Sequence, residues 1–383
     1  MNIKYPIVSI FVLNNFTNDS RVLKEAKTLQ NNDYDVKVIA LHDNPLKEHE
    51  QIESIHVHRI KLATRSLPKN KVIQIFKYFE FVFKATKNYH NSNIIHCNDL
   101  NTLPIGVIIK RFFNHNTKIV YDAHEYETET NGLNGISKRL YKRLEKYLIK
   151  YADHVITVSD SIANEYVRLY QIEKPSLILN TPPLRQKINK KDLFRKKFNI
   201  TRKQNIFLYQ GKLSKGRGID ILLQTFSQTG MENNCIIFMG YGSLEKKIKT
   251  AANKVTQIYF HVAVPHEVIL DYTSSADYGI SFIEDSCLSY RYCLPNKLFE
   301  YMMAEVPVIC SNLPEMKKVV ESYQLGIVAK EITQQGISNA IDQILRFQKP
   351  NDLTKVKSTF CWESQEKVLL KIYNNLEVTT NLS

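Results

Sequence analysis

The chain has 383 residues, 43% of them hydrophobic and 23% charged, which is more than one hydrophobic core usually holds and far from the composition of a disordered chain, so two globular domains are expected. Basic residues outnumber acidic ones by 52 to 38, and a net charge of +14 calls for an anionic partner: nucleotide phosphates, an acidic membrane surface or nucleic acid. The longest apolar runs, such as residues 7–13, reach only about seven residues against the roughly 20 that span a bilayer, and the start lacks a small-residue cleavage site, so a cytoplasmic protein is expected.

Six cysteines, at 97, 235, 287, 293, 310 and 361, show no metal-ligand spacing and fall mostly in apolar runs. They read as reduced core residues. With only 12 glycines, glycine-rich phosphate loops are not expected.

In chain order, β-rich runs predict strands at 7–13, 35–41, 56–60, 93–98, 118–122 and 154–159. Helical periodicity fills 19–31, 70–89, 102–113, 137–151 and 161–170. That alternation is the mark of a parallel sheet with helices on both faces. "NTPPLRQKINKKDLFRKK" then breaks the pattern, polar and proline-containing, before strands resume at 205–210, 235–239, 257–262, 278–283 and 306–311. Pro350 ends the last regular helix, and "FCWESQEKVLLKIYNNL" forms a terminal amphipathic one. The predicted fold class is therefore α/β, with two Rossmann-like, doubly wound parallel-sheet domains facing across a cleft. The expected boundaries are 1–180, a linker at 181–204, a second domain at 205–360, and a final helix at 361–383 crossing back to the first domain. Ligands of such sheets sit beyond the carboxyl ends of the strands.

Several side chains in the first domain invite chemical readings. Asp33 to Asp35, "DYD", matches a metal-holding Asp-x-Asp pattern but precedes the second strand, on the wrong side of the sheet for ligands. His56 and His58 face one way along a strand and lack a third ligand, so they read as structural. His96 and Asp99, at the end of the fourth strand, point toward the ligand side. The helix at 70–89 is predicted to bury Val72, Ile75, Phe76, Phe79, Val82 and Phe83, leaving Ile73 and Phe81 outward near Lys77 and Lys84. The helix at 137–151 sets Arg139, Arg143, Lys146 and Lys150 on one face and Leu140, Leu144, Tyr147, Leu148 and Tyr151 on another. Exposed aromatics flanked by cations suit an acidic membrane surface, and a solvated basic face is the alternative.

The second domain carries two phosphate-suited stretches. In "YQGKLSKGRGID" a strand ends at Gly211, and Lys212, Lys215 and Arg217 crowd the loop before a helix starting near Gly218. An arginine there can grip phosphate oxygens in pairs, although taken alone the stretch fits three solvated loop cations better. In "LPNKLFEYMMAEVPVICS", Asn296 is expected to cap a helix whose first turn, with Lys297, would bind phosphate. Glu300 follows on the same face, roughly 4.5 Å along the axis, where it could accept hydrogen bonds from a ribose diol. By spacing alone, a surface Lys and Glu fit as well.

Together with "NDSRVLKEAKTLQNNDYDVKVIAL", "IIHCNDLNTLPIG", "KIVYDAHE", "HVITVSDSIA", "LILNTPPL", "MGYGSLEKKI" and "ADYGIS", these stretches resemble, almost end to end, the retaining glycosyltransferases of the GT-B fold, family 4, group 1. The resemblance implies a nucleotide-sugar donor in the second domain, held by Gly211, Lys212, Arg217, Gly240, Asn296, Lys297, Leu298 and Glu300. It implies an acceptor in the first, met by Asp19, Arg21, Asp99 and Glu125, with His124, Arg217 and Lys297 as catalytic residues and no metal or cofactor. Tyr292 stands where the family's first motif glutamate would be, and Glu305 replaces the glycine that commonly ends that helix.

The implied activity is transfer of a sugar from a nucleoside-diphosphate sugar to a glycan or lipid-linked acceptor with retention, in cell-surface polysaccharide or glycoconjugate synthesis. The implied setting is cytoplasmic, with peripheral contact at the acidic inner face of the membrane. A sugar-nucleotide epimerase on the same scaffold and a non-catalytic polyanion-binding protein are the alternatives. Nucleic acid is not an expected partner, because no stacking platform or groove-entering helix is present.

Overall fold

A computed structural model describes residues 5–68 and 70–381. The chain divides into two compact units, one of residues 1–178 with 366–383 and the other of residues 179–365.

In unit 1, β1 (Ile7–Phe11), β2 (Asp35–Leu41), β3 (His49–Ile52), β4 (Ile55–Ile60), β5 (Ile94–Asn98), β6 (Lys118–Ala123), β7 (His154–Thr157) and β8 (Ser176–Leu177) form one sheet in the order β3-β4-β2-β1-β5-β6-β7-β8. Helices α1 (Ser20–Gln30), α2 (Lys71–Tyr89), α3 (Leu103–Phe112), α4 (Gly135–Leu148) and α5 (Asp160–Tyr170) connect and cover it. Central strands such as β5 are buried at every residue, as parallel strands covered on both faces must be. The order reverses between β1 and β5, so the loops after these strands flank the usual ligand crevice.

Unit 2 contains β9 (Asn205–Lys212), β10 (Asn234–Tyr241), β11 (Ile258–Val262), β12 (Tyr278–Ser281), β13 (Val308–Ser311) and β14 (Gly326–Ala329), ordered β11-β10-β9-β12-β13-β14 and all parallel. Its helices are α6 (Leu193–Phe198), α7 (Ile219–Phe226), α8 (Glu245–Ala252), α9 (His266–Thr273), α10 (Leu288–Arg291), α11 (Asn296–Met303), α12 (Pro314–Ser322), α13 (Gln334–Ile344) and α14 (Thr354–Thr359). Two apolar clusters form its core, one around Leu208, Ile237 and Tyr301 and the other around Phe207, Phe238 and Ile280. The strand order reverses between β9 and β12, which sets the carboxyl end of β9 at the crevice.

The last helix, α15 (Trp362–Asn381), buries Leu369, Ile372, Tyr373 and Leu376 at helical spacing. From Glu366 onward it belongs to unit 1: Thr28 donates to Glu366 at 3.1 Å, and Tyr373 Oη hydrogen-bonds with His96 Nδ1 at 2.8 Å.

Several local expectations are corrected. The edge strand β3 runs antiparallel to β4 through a two-residue turn in which Glu53 and Ser54 both have positive φ, 46° and 74°. That is the twist-matched hairpin turn, made here without the usual Asn-Gly signal. The hairpin also brings Glu48 and His49 beside His58, so His58 does have acidic and imidazole neighbours, while its Nδ1 hydrogen-bonds with the Tyr89 hydroxyl.

On α2 the predicted inner and outer faces are exchanged. Phe81 and Lys77 are buried, alongside Val82 as expected, whereas Val72, Ile75, Phe76, Phe79 and Phe83 are exposed. Lys77 tolerates burial because its ammonium donates to the carbonyls of Leu67 at 2.7 Å and Arg65 at 3.1 Å. Glu305 does take the left-handed conformation that glycine usually supplies, φ 58°, and its carboxylate holds the buried Lys357 ammonium at 2.9 Å.

Candidate active site

The carboxyl end of β9 and the start of α11 gather the polar residues of unit 2. Gly211 and Gly240 are partners across β9 and β10, and a Cβ on Gly240 would lie 1.9 Å from the Gly211 carbonyl oxygen. Glycine is therefore obligatory there, and it lets the two strand ends close on each other. Tyr301 pins α11 against the sheet: its hydroxyl donates to the Leu208 carbonyl at 2.7 Å and accepts from the Gln210 N–H at 3.3 Å. A Cβ on Gly279 would lie 2.6 Å from the Tyr301 ring, so the absence of a side chain in β12 makes room for it.

Glu300 and Lys297, one turn apart, then point at the end of β9. Gln210 is buried, donates its amide N–H to Glu300 and receives Thr273 Oγ1 at 2.9 Å, which fixes both the amide and the carboxylate. Lys297 is buried with its ammonium 3.9 Å from the Tyr209 ring centroid, and among the described residues nothing hydrogen-bonds its Nζ. Burial, and next the charge of Arg217, depress it to about 7, against the opposing pull of Glu300. Arg217 stacks on the Tyr290 ring at 5.0 Å with its Nε likewise lacking a hydrogen-bond partner. The structure thus brings Arg217, Lys297 and Glu300 together around Tyr209.

A buried cation with three unmet donors, beside a second cation, fits an anion with several oxygens.

Other predicted residues of this unit fall differently. Asn296 does not cap α11; the flanking position is Pro295, and Asn296 is the first, exposed helical residue. Leu298 is fully buried in the core and its N–H bonds to the Pro295 carbonyl at 3.0 Å. Lys212 is exposed at the end of β9, and Tyr292 is half-buried just after α10.

In unit 1, Asp99 follows β5 with φ 64° and stands 3.2 Å from His124 Nδ1. Burial first, and then the neighbouring Asp99 charge, push the Glu127 carboxyl well up, toward the neutral form that can donate to Asp99. Asp19 caps α1, accepting from the Val22 N–H at 3.3 Å and from Asn14 Nδ2 at 2.9 Å. Glu125 is exposed.

Arg21 departs most from the sequence reading. Expected at an acceptor surface, it is 4% exposed and forks onto Asp122 at 2.8 and 2.9 Å, with a third bond to the Ile178 carbonyl at 2.7 Å. Glu25 completes the cluster 3.2 Å from Arg21 Nε, and burial pushes its carboxyl up toward the neutral form. Burial works against the Asp122 charge too, but Arg21, helped by His96, holds that carboxyl far below the usual range. One cation thus faces one anion, and three of the five N–H donors of Arg21 are committed to Asp122 and the Ile178 carbonyl.

Sequence reasoning missed Gln210, Tyr209, Tyr290 and Glu127. Tyr209 and Gln210, just before Gly211 in the stretch already singled out, stood at positions where a site residue could have been sought.

Residues 20–181 match Glycosyltransferase Family 4, and residues 190–357 match Glycosyl transferases group 1. The chain belongs to the family 4-like glycosyltransferases of the GT-B fold, with two parallel-sheet α/β domains. It is 24% identical over 94% of its length to the chitobiosyldiphosphodolichol beta-mannosyltransferase of Debaryomyces hansenii, 84% of which is covered. In fold it is similar to the sucrose-phosphate synthase of Thermosynechococcus elongatus, with a TM-score of 0.79 at 17% identity, covering 98% of this chain and 100% of that one. Anabaena HepE, solved in complex with UDP-glucose, gives 0.68 at 13% identity, again covering 98% and 100%.

Proposed function

We propose that the chain moves a hexose from a nucleoside-diphosphate donor held by unit 2 to a glycan or lipid-linked acceptor met by unit 1, with retention of the anomeric configuration. The process served is assembly of a cell-surface polysaccharide or glycoconjugate at the cytoplasmic face of a membrane. The observation that carries this reading is the buried Lys297 ammonium beside Arg217, one helical turn before a carboxylate fixed by Gln210. Lys297 and Arg217 would neutralise the diphosphate as it leaves, Glu300 would hold the ribose hydroxyls, and Gly211 and Gly240 would let the backbone approach the phosphates. With that charge supplied by side chains, the reading calls for no metal or cofactor. His124, oriented by Asp99, would stand beside the transferred sugar. The Debaryomyces relative's name supports a hexosyl donor and a lipid-diphosphate acceptor. Among the described residues no helix is long and apolar enough to cross a membrane.

Binding should carry a proton signature. Lys297 ordinarily titrates at 10.5 and here near 7, so above pH 7 its amine is largely uncharged in the free site while Arg217 keeps its charge. A bound diphosphate favours the ammonium and raises that value again, so binding takes up a proton above pH 7 and none below it. Calorimetric titration of UDP and GDP in buffers of differing ionisation enthalpy measures the uptake. Lys297→Met is expected to abolish it, and an uptake unchanged in that variant would exclude Lys297 from the phosphate site.

The relative's β-mannosyl product favours a second reading, inversion from an α-linked donor, in which the Asp99–His124 pair would take the acceptor proton. The anomeric configuration of the first-formed product, read by NMR, decides: an α-linked product from an α-linked donor supports retention, a β-linked one inversion.

A further inference from the structure

From the surface of unit 1 we infer that α2, the end of α3 and α4 form a platform that docks into the interface of an anionic lipid bilayer. The inference deepens the reading of a lipid-linked acceptor by naming the face that meets the lipid. On α2, Val72, Ile75, Phe76, Phe79 and Phe83 recur at helical spacing and are each 54–68% exposed, while the same helix buries a lysine. A helix that turns its aromatics to the outside and a cation to the inside is not explained by its own core.

The neighbouring helix repeats the pattern. Ile136, Leu140, Leu144 and Tyr147 of α4 form an exposed stripe, and Arg139, Arg143, Lys146 and Lys150, also exposed, run beside it one residue out of phase. The helix is anchored from beneath by Glu145, which accepts from the hydroxyls of Tyr121 at 2.7 Å and Tyr166 at 2.6 Å, and from Tyr170. This polar anchor leaves the apolar stripe free. Phe112 and Phe113 at the end of α3 are exposed as well, and Arg111 reaches Tyr151 just beyond α4 with a 2.7 Å hydrogen bond. Burial first, and then the nearby Tyr141 of α4, raise the Tyr78 hydroxyl of α2, and α3 packs against both helices, so the three are neighbours.

The charge selects the occupant. An isologous contact between two copies would bring the same arginine and lysine stripe against itself. Anionic headgroups meet that stripe favourably while the adjacent apolar stripe enters the acyl boundary.

The test is flotation of the full chain with phosphatidylcholine vesicles, with and without phosphatidylglycerol. Binding is expected only with the anionic lipid and should weaken with salt. The double variant Phe76→Ser with Phe83→Ser, and the charge reversal Arg139→Glu with Arg143→Glu, should each lower partitioning at least about tenfold. Both should leave the melting temperature and the UDP or GDP thermal shift unchanged. Phe79→Trp should show a blue shift on anionic vesicles. Loss of nucleotide binding in wild type would count against the donor site, independently of this inference. Absence of vesicle binding, binding indifferent to both variants, or a concentration-dependent dimer that Phe76→Ser with Phe83→Ser dissolves without any lipid dependence would overturn it.

Discussion

Arg217→Ala should lower kcat/KM for the nucleotide sugar by about 10²–10³, the loss typical when one preorganised donor to a developing anion is removed. The melting temperature should hardly change, because the guanidinium rests on the Tyr290 ring and lacks a hydrogen bond at Nε among the described residues. Arg217→Lys keeps the charge but not the two-pronged geometry and should recover only part of the rate. Initial rates at donor concentrations well below KM measure the effect. Full activity in Arg217→Ala would remove the residue from the leaving-group site.

Arg21→Met should destabilise unit 1 by about 3–5 kcal/mol, since it strands the buried Asp122 carboxylate without its cation. The three bonds of Arg21, to both Asp122 oxygens and the Ile178 carbonyl, tie α1 to β6 and to the residue after β8. Urea unfolding compared with wild type gives the value. An unchanged midpoint with a raised KM for the acceptor would return Arg21 to the role its sequence position suggested.

These two arginines show what the sequence could and could not convey. Arg217 sits among other cations in a loop at a strand end, where solvated loop cations are the plainer reading of the spacing, and the family resemblance singled it out. The fate of Arg21 depends on Asp122, a hundred residues away in sequence and adjacent only once β6 is paired with β5. The alternation of strands and helices was legible because every strand between β4 and β7 carries an apolar run long enough to be recognised. The short β8 and β14 were not, since two to four half-buried residues leave little pattern. Helix α2 misled because both of its faces are apolar. Periodicity favours the larger stripe, and the packing instead buries Phe81, Val82 and Ala85 beside a lysine satisfied by two loop carbonyls. The one-turn spacing puts Lys297 and Glu300 on one helix face but fits an ordinary surface pair as well, and the family resemblance singled them out; Gln210, which fixes Glu300, lies on β9 and became visible only in three dimensions.

The return of α15 to unit 1 has a consequence for synthesis. His96 lies fully buried, and its hydroxyl partner, Tyr373, leaves the ribosome only after all of unit 2 has emerged. The nascent first half therefore waits, its α1 and β5 lacking their apolar cover, while the second half can already mature. Vectorial, first-come folding would be reversed, and a chain cut short before Leu369 would carry a finished unit 2 and an unfinished unit 1.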